Sequence, residues 1–352
     1  MKKIISSGLK FWLGLLLLST SLVYAATDPN ANMGEGETPA LMELRKSILD
    51  GPYGKKVIYE LVDDLIETEG SQLEEVYLAL SLRKQEAVRI VLEKLETGTP
   101  AAKRKVTKLL RYGRWPEAVP KLLEVVSSDN EHEISRTGAL YALGAIGDRS
   151  AGPTIAELLD KPNRSPTEKR IMIATLARLN YRTAIPKIKE YLTHENLLVR
   201  IFSARALAEL GQTVDAAILF DALQNEDYVV RQEACGALGS VGGPNVISKL
   251  EDVSQNDPHS SVRSAARIAL NRSKTSRLPE AEKSRLIKGL VSDPDKNVRS
   301  WAIETLDREC GENGKKSLRE MASQQTSEGR KAAIHLLMTA GTSNHTSGEV
   351  EP

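Results

Sequence analysis

Apolar and basic residues recur along this chain in a fixed relation. Leu110, Leu143, Leu176, Leu207, Leu238, Leu270, Leu306 and Leu337 follow one another at intervals of 31 to 36 residues. Seven residues before each stands a basic residue: Lys103, Arg136, Lys169, Arg200, Arg231, Arg263, Arg299 and Arg330. Four residues before the leucine the side chain is small in Ala139, Ser203, Ala234, Ala266, Ala302 and Ala333, with Val106 and Met172 as departures. Offsets of three, four and seven share one face of an α-helix, so each unit predicts a helix that packs through its small residues and its leucine.

A second amphipathic stretch lies between successive helices of this kind, as in "PEAVPKLLEVV", "SAGPTIAELL" and "RTAIPKIKEYL", where Pro120, Pro153 and Pro186 are 33 apart. Each unit is therefore a helix pair. The turns carry glycine or capping residues, as in Gly147 with Asp148, "SSDNEHE" and "SDPDKN". A fixed period, two helices and short turns predict an all-α superhelix, an α-solenoid of about nine pairs over residues 55–340. The stretch from Lys55 to Leu82 is helical in pattern but lacks the basic column, as an end unit without a neighbour commonly does. "RSKTSRLP" lengthens one connection and accounts for the interval of 36. The polar flanks, 26–54 and 341–352, are expected to be disordered or weakly ordered.

These units resemble HEAT repeats, above all the short HEAT-like type of the phycobilisome lyases; "EISRTGALYALGAIGDRSAGPTIAELL" and "VRQEACGALGSVGG" come closest. The resemblance covers Val57 to Ala340. It implies that a turn residue six before the arginine bridges neighbouring units. Asn130, Asn163, Asn225, Asp257 and Asp293 hold that place, whereas Thr97, His194 and Gln324 depart from it. The basic column is read as architecture: a head that donates to a turn carboxylate, amide or carbonyl while its stem covers apolar surface.

Composition agrees with packed helices. Aromatics are 4% of residues against 41% apolar, so Leu, Ala, Ile and Val supply the core. Lys and Arg number 48 against 47 Asp and Glu, a balance that gives no reason to expect a nucleic-acid partner. The start of the chain, basic at Lys2, Lys3 and Lys10, apolar from Phe11 to Val23, then small, has the layout of a secretory signal peptide over residues 1–25. A periplasmic or secreted location and no transmembrane span in the mature chain are expected.

No catalytic constellation is legible. The five histidines fall at separate places, without HExxH or CxxC spacing, and no phosphate-binding glycine loop occurs. No metal, cofactor or catalytic residue is therefore expected. His335 stands out as the histidine able to line the inner surface, and Cys235 and Cys310 are two units apart, too far for a disulfide.

Charge and aromatic placement mark a different surface. Glu35 to Glu75 holds 11 acidic and 4 basic residues, and Arg83 to Arg114 holds 10 basic and 3 acidic. Off the core face of the helix around Lys103 lie Arg104, Lys105, Lys108 and Tyr112. Further units add Tyr141, Phe202, Arg205, Gln232, Trp301 and Glu304 along the same wall. Phe202 and Trp301 are readable either as core or as contact residues. Tyr, Trp and Arg favour interfaces, so the expectation is an exported, non-enzymatic scaffold that binds a protein or peptide along its inner surface. The alternatives are an envelope assembly factor that takes an anionic polymer or lipid on the basic cluster near Lys103, and a lyase-like catalyst of cofactor attachment, which only the family resemblance implies.

Overall fold

The computed structural model describes residues 38–69, 72–324 and 326–339. The signal peptide expected over 1–25 and the tail expected over 341–352 lie outside the described residues. Nineteen α-helices and no strand occur among those described. A first helix, α1 (Pro39–Asp50), precedes nine antiparallel pairs. These are α2 (Ile58–Glu67) with α3 (Gln72–Leu82), α4 (Lys84–Thr97) with α5 (Pro100–Gly113), α6 (Val119–Ser127) with α7 (Glu133–Ile146), and α8 (Gly152–Leu158) with α9 (Pro166–Arg178). Then follow α10 (Ile185–Glu190) with α11 (Leu197–Glu209), α12 (Ala217–Ala222) with α13 (Tyr228–Val241), and α14 (Pro244–Asn256) with α15 (Ser260–Thr275). The last are α16 (Glu280–Gly289) with α17 (Lys296–Glu309) and α18 (Gly311–Ala322) with α19 (Ser327–Thr339). Helix α1 falls inside the flank 26–54 read as weakly ordered, which is corrected here: Leu41 and Ile48 are buried, so its apolar face covers the end of the core.

Local chemistry places the helix ends. Pro120, Pro153 and Pro186 sit in the first turns of α6, α8 and α10, where a missing N–H costs nothing. Ser165 and Glu168 form a capping box at α9, and Asp295 and His132 cap α17 and α7. The second helices of successive pairs then stack on one another. Ala139, Leu143, Ala234, Leu238, Ala266, Ala302 and Leu306 are at most 1% exposed. Gly239 shows how tight the contact is: a Cβ there would meet Ala269 Cα at 2.7 Å. Cys235 and Cys310 are both buried and free, and burial pushes the Cys235 thiol up to about 12.

The basic column binds backbone more than side chain. Arg200 donates to the carbonyls of His194 (2.7 Å) and Glu195 (2.9 Å), Arg231 to those of Asn225 (2.9 Å) and Glu226 (3.0 Å). Arg263 does the same with Asp257 (2.7 Å) and Pro258 (3.1 Å), and Arg299 with Asp293 (2.8 Å) and Pro294 (3.0 Å). A carbonyl serves whatever side chain it carries, so His194 fills the place as well as an aspartate. Carboxylates of the next unit add a second contact: Lys103 to Glu131, Arg136 to Glu168 (2.6 Å), Arg231 to Asp257 (2.8 Å) and Arg299 to Glu328 (3.1 Å).

Several members of the expected ladder are used differently. The Lys169 ammonium stands 5.7 Å from the Tyr191 ring centre and has no ion-pair partner among the described residues; the next unit carries Val199 and His194 where Glu168 and Asp257 serve Arg136 and Arg231, and Arg164, its guanidinium fully buried, pairs with Asp129 and Glu168. Asn163 hydrogen-bonds the Asp129 side chain, and the Asp293 carboxylate accepts from Arg267 at 2.5 Å. Asn130, in the turn before α7, makes no side-chain bridge among the described residues.

The array closes on itself. Helix α19 packs against α1, α3 and α5. Ala322, Ala333, Leu337 and Met338 belong to the same core as Leu41, Leu80 and Leu109. Arg330, last of the basic column, finds its carboxylate in the first pair, Glu75, at 3.8 Å. Arg114 donates to Asp307 at 2.6 Å, and the carboxylate is 3% exposed.

Candidate functional site

Closure creates a lumen whose wall is written in the repeat. Five residues after each basic column position stand Lys108, Tyr141, Ala174, Arg205, Gly236, Ile268, Glu304 and His335. Where the first and last units meet, the lumen widens to a cavity of about 360 Å³. Its floor comes from the first units through Tyr77, Lys108, Arg111 and Tyr112, and from the last units through Glu304, Arg308, His335 and Met338. A smaller cavity of about 270 Å³ adjoins it through Tyr77, Lys108 and Arg111, and is lined further by Arg104, Lys105 and Tyr141.

Cations and aromatic faces alternate in the larger cavity. Lys108 lies 5.7 Å from the Tyr77 ring centre and 5.9 Å from that of Tyr112. Arg111 lies 5.9 Å from Tyr112 and 5.5 Å from Tyr141, and the Tyr77 and Tyr112 rings are 6.0 Å apart. Such contacts hold the cations over ring faces with their charge still unneutralised. Tyr112 on the larger cavity and Tyr141 on the smaller are each 38% exposed, flat apolar surfaces.

Two ionisable groups there are held neutral. Tyr77 is 4% exposed, and burial, aided by Tyr112, pushes its phenol well above the ordinary range. Its hydroxyl, itself buried, has no hydrogen-bond partner among the described residues. Burial also lowers His335, against the opposing pull of Asp307 and Glu304 and with the help of Arg114, so the imidazole is neutral at neutral pH. Burial works on Glu304 in the opposite sense, but Arg308, which bonds it at 3.1 Å, and Arg111 keep its carboxyl below the usual range. A wall of tyrosine faces, guanidiniums, one neutral imidazole and one neutral phenol suits a flat, conjugated, acidic molecule.

Of the residues picked out from sequence, Arg104, Lys108, Tyr112, Tyr141 and Glu304 come together on these adjoining cavities. Lys105 lines the smaller one, but its ammonium is committed to the Ile66 and Thr68 carbonyls and to Glu69, so it ties α5 to the turn after α2. Arg205 pairs with Glu209 at 2.8 Å further along the lumen. Phe202 lies under the Arg170 guanidinium at 5.3 Å, Trp301 packs on the third core cluster, and Gln232 is half-buried outside both cavities. Sequence reasoning missed Tyr77, Arg111 and Arg308. Arg111 and Arg308, eight and nine residues after the basic column, carry a periodic signal, whereas Tyr77 belongs to the end unit without that column and becomes a wall residue only through closure.

Among the described residues no helix is long and apolar enough to cross a membrane. The repeats match the family models described as HEAT repeats, over residues 163–224 and 216–271, and PBS lyase HEAT-like repeat, over residues 135–161. The chain is 30% identical over 133 residues to the uncharacterized phycocyanin operon protein Y of Pseudanabaena tenuis, a match covering 37% of this chain and 30% of that protein. It is 29% identical over 114 residues to the bilin biosynthesis protein PecE of Mastigocladus laminosus, covering 32% of this chain and 41% of the relative. The chain thus spans less than half the length of either relative. The complex of CpcE and CpcF of phycocyanin lyase from Nostoc is similar at a TM-score of 0.48 and 20% identity, over 71% of this chain and 96% of that one. The expectation of a non-enzymatic scaffold is corrected by these findings: the relatives include a bilin biosynthesis protein, and a repeat matches the lyase type. Arg104, Lys108, Tyr112 and Tyr141, read from sequence as partner-contact residues, line cavities of small-molecule size.

Proposed function

Because the chain is a HEAT-repeat protein with repeats of the phycobilisome-lyase type, we propose that it has a lyase-like role in cofactor attachment, holding a bilin, a linear tetrapyrrole, for transfer to a cysteine of a partner protein. The observation that carries the proposal is the cavity between the first and last units, with Tyr112 as a stacking face backed by buried Tyr77, Lys108 and Arg111 beside them and neutral His335 on the wall from the last units. Its volume is in the range of ordinary ligand pockets. A lyase adds a group across a double bond. For a thiol, the S–H bond breaks, a C–S bond forms at one carbon of the double bond, and the proton ends on the other carbon, with no oxidant or reductant consumed.

The chain's own residues supply what that step needs. A neutral imidazole can take the thiol proton, and His335 is neutral at neutral pH. A signal peptide over residues 1–25 belongs to the same proposal, and the acceptor protein would then share the compartment to which the chain is exported.

Mixing the purified chain with biliverdin as probe tests the proposal. Saturable binding with an altered visible spectrum is expected, together with a faster mass gain on a cysteine-bearing acceptor than with biliverdin alone. Tyr112→Ala together with Lys108→Ala is expected to weaken binding about tenfold or more, since a cation–π contact and a stacking face are lost together. Absence of saturable binding by the wild-type chain would refute the proposal.

A further inference from the structure

The two adjoining cavities differ in what lines them. The larger takes apolar side chains from separate units, Ala145, Ile303, Ile334 and Met338, beside its charged ones. The smaller, of about 270 Å³, has Arg104, Lys105, Lys108 and Arg111 on its wall and, among the described residues, one carboxylate, Glu69. Tyr77, Lys108 and Arg111 line both cavities and so mark where they meet. Gly138 of α7 lines the smaller one without a side chain, at the repeat position that later units fill with Phe202 and Trp301.

The helix that carries these cations sets their spacing. Arg104, Lys108 and Arg111 stand at i, i+4 and i+7 of α5, a stripe about 10 Å long on one face. Ala102, Val106, Leu109 and Leu110 occupy the opposite face and are buried, so the stripe is held off the core. The tyrosine contacts at 5.5 to 5.9 Å fix Lys108 and Arg111 where the cavities meet. The carboxylate on the smaller cavity is already engaged: Lys105 bonds Glu69 at 2.6 Å and also donates to the Ile66 and Thr68 carbonyls. Lys105 is the chief cause that holds the Glu69 carboxyl below its usual range, and Arg104 and Lys108 add to it through their charge alone. Glu304 in the larger cavity, bonded by Arg308, feels Arg111 in the same way. With Glu69 set against Lys105, the smaller cavity keeps an excess of positive charge.

We propose that the smaller cavity is a carboxylate subsite, in which Arg104, Lys108 and Arg111 take the acidic arms of a conjugated molecule whose apolar body lies along Tyr112 and Met338 in the larger cavity. A guanidinium fork binds a carboxylate in bidentate fashion, and the Lys108 ammonium adds a point charge between the two arginines. The subsite deepens the bilin proposal and rests on it. It states which part of the ligand goes where, and it makes free acid groups a condition of tight binding. With the arms held there, the rest of the molecule is directed across Tyr112 toward His335.

Absorbance titration of the full chain with biliverdin and with biliverdin dimethyl ester makes the test, because the two share a conjugated body and differ in charge. Wild type is expected to bind the free acid about tenfold more tightly than the ester, as charge-assisted hydrogen bonds to a carboxylate do, and the preference should shrink as salt rises. Arg104→Gln is expected to cut it to about threefold or less by weakening the acid alone, since Lys108 and Arg111 remain. Arg104→Lys should keep most of it. All three proteins are expected to melt together, because Arg104 is exposed and makes no side-chain hydrogen bond or ion pair among the described residues. Equal affinity of wild type for acid and ester, or a preference undiminished in Arg104→Gln, overturns the subsite and leaves the bilin proposal standing. An equal loss of acid and ester in Arg104→Gln also overturns it, marking Arg104 as structural. Failure of wild type to bind either compound overturns the bilin proposal and the subsite with it.

Discussion

At the scale of the residue, the chain uses arginine in two ways that one sequence pattern does not separate. In the column seven before the leucine, the guanidinium is tied down on both sides: Arg231 donates to the Asn225 and Glu226 carbonyls and, through two bonds of 2.8 and 3.1 Å, to Asp257. Asp257 is itself largely buried, and burial would raise its carboxyl, but the Arg231 bonds and the His259 amide hold it below the usual range. Arg231→Met leaves that carboxylate without its partner, and we expect a loss of about 3 kcal/mol in a urea unfolding series, with biliverdin affinity unchanged. An unchanged unfolding midpoint would show that the column does not tie the units. The column was legible because it repeats. Arg164 was not, since it occurs once, and its pairs with Asp129 and Glu168 come from no repeating position.

At the scale of the element, the small residues four before each leucine set how closely second helices approach. A tight seam joins α13 and α15 at Gly239, where a Cβ would meet the Ala269 backbone at 2.7 Å. Gly239→Val is expected to cost about 1–3 kcal/mol, as overpacking of a filled core does, and to speed hydrogen exchange in both helices; equal exchange in the two proteins would mean that the seam yields freely. Helix pairs, turns and the prolines at helix starts were all readable, because periodicity and capping are local. Helix α1 escaped notice because only Leu41, Leu44 and Ile48 make its apolar face, too short a pattern to stand out from a polar flank. Phe202 and Trp301, equivalent in the repeat, differ in their surroundings: the first sits under Arg170 and the second against the core of the last units, a distinction made by superhelical twist and not by spacing.

At the scale of the described molecule, closure decides what the inner wall can do. An open solenoid would present Lys108, Tyr112, Glu304 and His335 on distant units, and the sequence accordingly suggested a long contact surface. With α19 against α3 and α5, the same residues enclose one cavity, and the Arg114–Asp307 pair joins the two ends beside it. Closure rests on contacts between residues 193 apart in the chain, which no local pattern announces. A ligand lying between Tyr112 and His335 touches both ends, so binding and closure must strengthen each other by the same free energy.

The affinity for biliverdin of three forms of the chain, wild type, Arg114→Asp, and Arg114→Asp with Asp307→Arg, therefore tests the closed cavity most directly. Reversing one charge places two carboxylates together and parts the ends; reversing both restores the pair. Binding about tenfold weaker in the single variant and regained in the double is the expected result. Equal affinity in all three forms would place the ligand elsewhere and contradict a site built where the first and last repeats meet.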